Sequence, residues 1–479
     1  MSSATSSGPT PDGRAPAALR RAVGIPTALA TSAGLAFAAI DYLGVVSIAA
    51  FAAGDSAWLA VVVAAFLAFI VAGVFGELNG LFPTAAGIRL YLARAAGERL
   101  SMTVTFAYMF TVILVIAADA FLIAEALRHV IGGPAVLAYL WIALLVGVAA
   151  GSNLAGIKLA GSVQSAVTYL VLVSTTALSL VAIFHVGGAF RTPFSLFGRG
   201  GIHGIQAISF GVFLYAAFEW VTTTAEEART PGVITSGLFL APLVILATGG
   251  IFAFALGHAV PYAQAHGSPY PQLLLGQATL GTIGELWMLA VTLLTAINTF
   301  NGGFLVASRF IYAAARERTL PRPFARLNMR AVPWLAVVAL AAASLAVAAI
   351  VFATGEWLLL VAVGATIEAA VYVVACWCLI RLRSRETRPR PMRLAFGKPL
   401  AVVGMAVFGV LALASGFSDP RDPSKFSLLP AAVLAAVLAL TAAYVHLAVP
   451  RLRSAAAQRE QVARPRRRPE RGGSGATGV

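Results

Sequence analysis

The chain has 479 residues, 59% of them hydrophobic and only 11% charged, with a mean hydropathy of +0.86. Soluble domains carry about 25% charged residues, so this chain cannot coat a water-exposed surface of its size, and a soluble enzyme, a secreted disulfide scaffold and a disordered protein are excluded. The net charge of +15 follows sidedness along the chain and is not gathered into a nucleic-acid footprint.

Residues 1–26 are rich in Ser, Pro and Ala and lack an apolar core, which reads as a disordered cytoplasmic tail with no cleavable signal peptide. Runs of about 20 apolar residues, the length of a membrane-crossing helix, then predict an all-α polytopic membrane protein. Its twelve spans lie near 27–52, 57–78, 103–127, 136–152, 162–186, 205–225, 237–257, 286–309, 333–353, 357–380, 399–416 and 428–449. With both termini cytoplasmic, only Arg128, Arg191, Arg199, Arg421 and Lys425 of the 34 basic residues fall outside. That asymmetry is the positive-inside pattern and supports an even span count.

The first span carries Asp41 in its middle, flanked by Gly34 and Gly44. After the second, the loop 83–101 carries Arg89, Arg94 and Arg99 among Leu90, Tyr91 and Leu92, and reads as a short interfacial helix. The third holds Asp119; the sixth holds Glu219 at the same depth as Asp41 in the first, followed by Thr222, Thr223 and Thr224. Matching depths point to inverted repeats, 27–186 and 205–380, whose corresponding helices break near the bilayer midplane. The external loop 258–285 contains Pro261, Pro269 and Pro271 and is expected to be partly structured. The eighth span has a polar step at Asn298, Thr299 and Asn301, and the loop 309–332 carries six Arg. Glu368 lies in the tenth span, as do Cys376 and Cys378, whose spacing suggests neither a disulfide nor a metal framework. A basic linker, 381–398, leads to two additional spans within 399–449, and 450–479 reads as a basic disordered cytoplasmic tail. Its cluster at Arg464, Arg466, Arg467, Arg468 and Arg471 is a topology-retaining tail or a contact for anionic lipid.

Four stretches resemble the amino acid–polyamine–organocation (APC) superfamily permeases. FGELNGLFPTAAGIRLYLARAAG (75–97) looks like that family's acidic-residue, Phe-Pro-x-x-Gly-Gly, Tyr-x-Tyr passage, with Ala86 where a first Gly is usual. NLAGIKLAGSVQ (153–164) resembles its link into span five, YAAFEWVTTTAEEARTP (215–231) its Phe-Glu motif of span six, and SRFIYAAARERTLPRPFARLN (308–328) its exit from span eight. The resemblance implies a five-plus-five inverted-repeat (LeuT-like) core over 27–380 with two extra helices, moving substrate by alternating access. The family's first span breaks at a Gly-Ser-Gly type motif whose free N–H groups hold a substrate carboxylate; that break falls here near Ala39, Ile40, Asp41 and Tyr42. An Asp beside those groups repels a carboxylate and attracts an ammonium, which brings amines and polyamines forward beside amino acids. The family's span-five Lys, present in some members, corresponds here to Val171.

The intramembrane acids Asp41, Asp119, Glu219 and Glu368 have no mid-membrane Lys or Arg to neutralise them. A lone carboxylate at the bilayer centre costs about 2.5–3.5 kcal/mol on insertion scales, so each must be protonated, hydrated or neutralised by a bound cation. Asp41 is the first choice for contact with a substrate amine; a protonated acid bonded to the broken helix and a proton-coupling role are its alternatives. Ile40, Tyr42, Phe213, Ala216, Ala217 and Glu219 complete the expected substrate site, with Phe213 as an aromatic able to hold a cationic amine. Glu219, Asp119, Asn298 and Thr299 are the coupling candidates, the last two either as oxygen ligands for Na⁺ or as interhelix hydrogen bonds. Asp119 and Glu368 match no motif of the family, and interhelix bonding serves equally for both.

No H-E-x-x-H and no G-x-x-x-x-G-K-[ST] occurs, and the six His lie at span ends or in loops, so neither an enzyme, a metal site nor an ATP-driven pump is supported. The sequence thus predicts a secondary active transporter of amino acids or related organic amines in the cytoplasmic membrane. It would be driven by H⁺ or exchange, need no cofactor beyond H⁺ or Na⁺ as coupling ion, bind no nucleic acid, and stand as a monomer or homodimer. A non-transporting membrane sensor retaining the same body is the alternative.

Overall fold

A computed structural model describes residues 21–38, 41–42, 44, 57–185, 214–261, 264–265, 268–419 and 425–463. The described residues are helical throughout apart from connections and two isolated bridges, Val23 with Ala228 and Ser418 with Phe426. In chain order the helices are α1 (Ile25–Ala36), α2 (Ala57–Leu81), α3 (Ile88–Ala96), α4 (Glu98–Ile131), α5 (Ala135–Leu154) and α6 (Ile157–His185). A 3₁₀ segment, η1 (Phe218–Glu227), follows, and then α7 (Pro231–Ala259), α8 (Pro271–Arg316), α9 (Trp334–Thr354), α10 (Trp357–Arg385), α11 (Gly397–Gly416) and α12 (Leu429–Ala463). Ten of these are long and apolar enough to cross a membrane, and α1 is a shorter apolar helix.

Burial sorts them. Inside the bundle lies 72% of the apolar window of α4 and 67% of that of α2, against 17% for α12. The first two are therefore central and the last is a lipid-facing addition, with Leu440 and Leu447 exposed. In lipid, exposed Leu, Ile and Val are in their preferred solvent and need no covering. Around the centre, α1, α2, η1 and α7 pack on one another, while α4, α5, α8 and α9 form a second set that meets them through α6 and α8.

Several elements exceed what hydropathy alone predicts. The interfacial helix expected within 83–101 is α3, with Tyr91 and Leu92 buried. Helix α8 begins at Pro271, inside the expected external loop, and turns at Gly281 (φ 61°, ψ −145°). There the Gly276 and Gly284 backbones come so close that a Cβ on either would overlap the other's carbonyl. At its far end α8 runs past 309 to Arg316, carrying Arg309 into the core and not into a loop. Residues 450–463, which composition assigns to a disordered tail, continue α12 through Pro450. A proline removes one i→i−4 bond without ending a helix whose flanks are good helix formers.

The basic linker is held down. Glu77 of α2 accepts from Arg383 Nε at 2.9 Å and from the Leu394 N–H at 2.9 Å, and Arg390 Nε lies 3.3 Å from it. The linker residues reach α2 because its facing positions are glycines: a Cβ at Gly76 would lie 2.8 Å from Met392 Sδ, and one at Gly73 would lie 2.5 Å from Leu394 Cδ1.

Candidate functional site

Helix α1 stops at Ala36, Phe37 and Ala38 are non-helical, and helix resumes at Asp41 and Tyr42. A helix interrupted inside a membrane must find partners for the carbonyls it leaves behind and the N–H groups it presents next. On the first count, the Asn298 Nδ2 of α8 donates to the Gly34 carbonyl at 3.0 Å and the Thr168 hydroxyl of α6 donates to the Ala30 carbonyl at 3.0 Å. On the second, the Ala38 N–H donates to Asp41 Oδ2 at 2.5 Å while the Asp41 N–H donates to the Ala38 carbonyl at 3.2 Å. That reciprocal pair is half of a capping box, the acid three residues in reaching back to the cap N–H. Asp119 of α4 lies within electrostatic reach of Asp41, and both acids are buried. Beside them the Tyr42 hydroxyl bonds the Thr175 hydroxyl at 2.6 Å, and its ring meets Phe37 and Phe252 edge-on.

In the sixth span residues 214–217 form a turn, and Ala217 takes a left-handed conformation (φ 70°) before η1 begins. The Ala217 N–H donates to Glu368 Oε1 at 3.0 Å, so an acid from α10 closes this break as Asp41 closes the first. Glu219, two residues on, accepts from the hydroxyls of Tyr108 of α4 and Tyr372 of α10, the latter at 2.9 Å. The Tyr372 hydroxyl also lies 3.1 Å from Glu368 Oε1, so the two buried carboxyls bracket one hydroxyl. Ser32 of α1 donates to the Phe218 carbonyl at 2.6 Å, tying the two interrupted spans together. A narrow cavity opens against this cluster, lined by Tyr108, Glu219, Trp220 and Phe310 and reaching Ala86 and Ile88 beside α3.

Asn298 is one node of an amide network. Its Oδ1 accepts from the Thr168 hydroxyl at 2.7 Å and from Gln164 Nε2. Gln164 Oε1 in turn accepts from Asn301 Nδ2 at 2.8 Å, and Asn301 Oδ1 accepts from Asn153 Nδ2 at 2.9 Å. Thr299, one residue beyond Asn298, is buried with its hydroxyl making no hydrogen bond among the described residues.

The basic end of the bundle is sealed by ion pairs and backbone. Arg309 Nε lies 2.9 Å from Glu227 Oε2, both fully buried, and the Glu227 carbonyl accepts the Ala22 and Val23 N–H groups at 2.9 Å each. Glu226 accepts from Arg316 at 3.0 Å and from the Ala85 N–H and the Thr84 hydroxyl at 3.1 Å each. Burial pushes the Glu226 carboxyl up, but Arg316 and these donors outweigh it and hold it below the ordinary carboxylate value. Arg89 pairs with Glu98 and Glu317.

Of the expected site residues, the fold gathers Asp41, Tyr42 and Asp119 at one break and Ala216, Ala217 and Glu219 at the other; Ile40 and Phe213 lie outside the described residues. Backbone N–H groups serve Asp41 and Glu368, and tyrosine hydroxyls serve Glu219. Three participants escaped the sequence reading: Tyr108, Tyr372 and the pairing of Glu368 with Glu219. A signal was present. Glu368 and Tyr372 are four apart on one helix, and Tyr108 and Asp119 are eleven apart, both spacings that share a face.

A profile of the family described as amino acid permease matches residues 28–451, most of the chain. The chain belongs to the amino acid permease family. Its relatives are distant: it is 24% identical over 298 residues to an uncharacterized amino-acid permease of Schizosaccharomyces pombe, covering 57% of this chain and 53% of that one. It is 24% identical over 309 residues to the aromatic amino acid transport protein AroP of Corynebacterium glutamicum, covering 60% and 65%. A longer match of 402 residues, also 24% identical, joins it to a gamma-aminobutyric acid permease of Bacillus subtilis, covering 77% and 82%. The matches to the first two thus span between half and two thirds of those relatives. Family membership accounts for the all-helical membrane fold and for four motif stretches lying at the ends of spans two, four, six and eight.

Proposed function

We propose that this member of the amino acid permease family is a secondary transporter of amino acids or related organic amines, working by alternating access with both termini on the cytoplasmic side. The observation that carries the reading is the first break, where Asp41 stands buried beside the interrupted backbone with Asp119 nearby. A buried carboxyl at such a point is a group that a substrate ammonium can neutralise. The relatives named for amino acid transport support the substrate class.

Both half-helix starts are already engaged by resident acids, the Ala38 N–H by Asp41 and the Ala217 N–H by Glu368. A substrate carboxylate would compete with these groups and suffer their repulsion, so amines lacking it are favoured over zwitterions. Movement of α1, α2, η1 and α7 against the remaining helices, breaking the Glu227–Arg309 contact at the basic end, would expose the site alternately.

The test is uptake by proteoliposomes of labelled phenylalanine, phenethylamine, γ-aminobutyrate and putrescine, with and without a pH gradient. Saturable uptake or exchange of at least one, with phenethylamine ahead of phenylalanine, is expected. A protein that moves none of the four while remaining folded overturns the reading.

A further inference from the structure

We propose that Glu219 and Glu368 form a single proton-binding site, one proton shared between two carboxyls, and that this is the proton the transporter couples to substrate. The inference rests on the transport reading for its second half; the first half stands on geometry alone.

The pair comes from two separate elements, η1 and α10, brought together inside the bundle with both residues buried. Two buried carboxyls set against the same two tyrosine hydroxyls, with no cation between them, cannot both stay ionised; one must carry a proton. The oxygens say which. Both oxygens of Glu219 accept tyrosine hydroxyls, from Tyr108 and Tyr372. Glu368 Oε1 accepts the Ala217 N–H at 3.0 Å and lies 3.1 Å from the Tyr372 hydroxyl and 3.4 Å from the Tyr108 hydroxyl, whose single protons go to the closer Glu219 oxygens. Glu368 Oε2 is buried and receives no donor. An oxygen of Glu368 that takes no hydrogen bond, beside a Glu219 whose two oxygens both accept, is where a carboxylic acid O–H belongs.

The groups that face the pair are few. From α4 comes Tyr108, from α10 Tyr372, and from the sixth span the Ala217 N–H; Phe75 of α2 and Phe408 of α11 close over the Tyr372 ring. Among the described hydrogen bonds and ion pairs, no Arg, Lys or His touches either acid. With one proton the pair carries a single negative charge spread over four oxygens. Losing it leaves two like charges in contact, and gaining a second makes the pair neutral. The site is also wired to the break, since the acid holding the proton is the one holding the Ala217 N–H. Motion of η1 away from α10 separates the carboxyls and frees the proton. A narrow cavity lies beside Tyr108, Glu219 and Trp220 and is lined also by Ala86 and Ile88. Proton binding and the state of the sixth-span break are therefore one event.

Glu368→Gln is the informative variant, because a glutamine amide has the shape and donor of the protonated acid but cannot release it. Infrared spectroscopy of the ligand-free protein in detergent reads the proton directly. The wild type is expected to show a protonated-carboxyl band at neutral pH that is missing from E368Q. In proteoliposomes a proton-coupled carrier accumulates substrate on the order of tenfold per pH unit of gradient, since each unit is worth 2.303RT per proton. The steady-state ratio for the wild-type substrate among phenylalanine, phenethylamine, γ-aminobutyrate and putrescine should fall to about one in E368Q, whatever its rate. An unchanged band, or a ratio in E368Q that still follows the gradient, overturns the proposal. If the wild type moves none of the four, the transport reading falls and with it the coupling role, while the infrared comparison still decides whether the pair holds a proton. Should E368Q not fold, Glu219→Gln with the accumulation ratio as its readout replaces it.

Discussion

Arg309 and Glu227 face each other at 2.9 Å with neither side chain open to solvent, and the Glu227 backbone carbonyl at the same time holds the start of the chain's first helix through Ala22 and Val23. Removing one partner of a buried pair strands the other charge and costs about 3–5 kcal/mol. Arg309→Ala is expected to lower the thermal unfolding temperature in detergent sharply. The double variant Arg309→Met with Glu227→Leu should recover most of the loss, because burying two apolar groups there carries no stranded charge.

Glu226 gives this end of the bundle a dependence on acid. Its carboxyl is held below the ordinary Glu value by Arg316, Thr84 and Ala85 against the opposing effect of burial. A depressed acid contributes stability that is fully present above the unfolded-state pKa of about 4.3 and lost as pH falls through the folded value. Unfolding temperatures measured across this range should fall with pH more steeply in the wild type than in Glu226→Gln.

Asp41→Asn separates structure from binding. An asparagine oxygen can still accept the Ala38 N–H, so the first break should stay closed and the unfolding temperature move little. The lost charge should weaken phenethylamine binding about tenfold to a hundredfold, the worth of a hydrogen bond to a charged group at about 1.5–3 kcal/mol. Scintillation proximity binding checks this, and equal affinity in the two proteins would remove Asp41 from the substrate site.

At the junction of α1, α6 and α8, the Asn298 amide already donates to the Gly34 carbonyl and Thr168 to the Ala30 carbonyl. A neutral donor stands where a cation would need carbonyl oxygens. Replacing external Na⁺ by K⁺ is therefore expected to leave uptake unchanged, whereas Asn298→Ala should cost about 1–3 kcal/mol of stability for each group it leaves unpartnered.

How far the sequence carries is visible at particular residues. Helix α5 (Ala135–Leu154) and helix α9 (Trp334–Thr354) lie within two residues of the expected 136–152 and 333–353, because an uninterrupted apolar run with polar ends has one reading in lipid. Helix α8 does not: its polar step at Asn298 to Asn301 and its Arg309 look like a span running out into a loop. Inside the bundle they are satisfied by Gln164, Ala160 and Glu227, partners far away in sequence. Asp41 stood out because a midspan acid flanked by glycines is locally odd. The meeting of Glu219 with Glu368 required knowing that η1 lies against α10, a tertiary fact that no local pattern encodes.

Each interrupted helix carries its own acceptor, one from within the span and one from a neighbour. The protein's own acids thus serve these two amides, and neither Ala38 nor Ala217 bares an orphaned N–H to hydrocarbon.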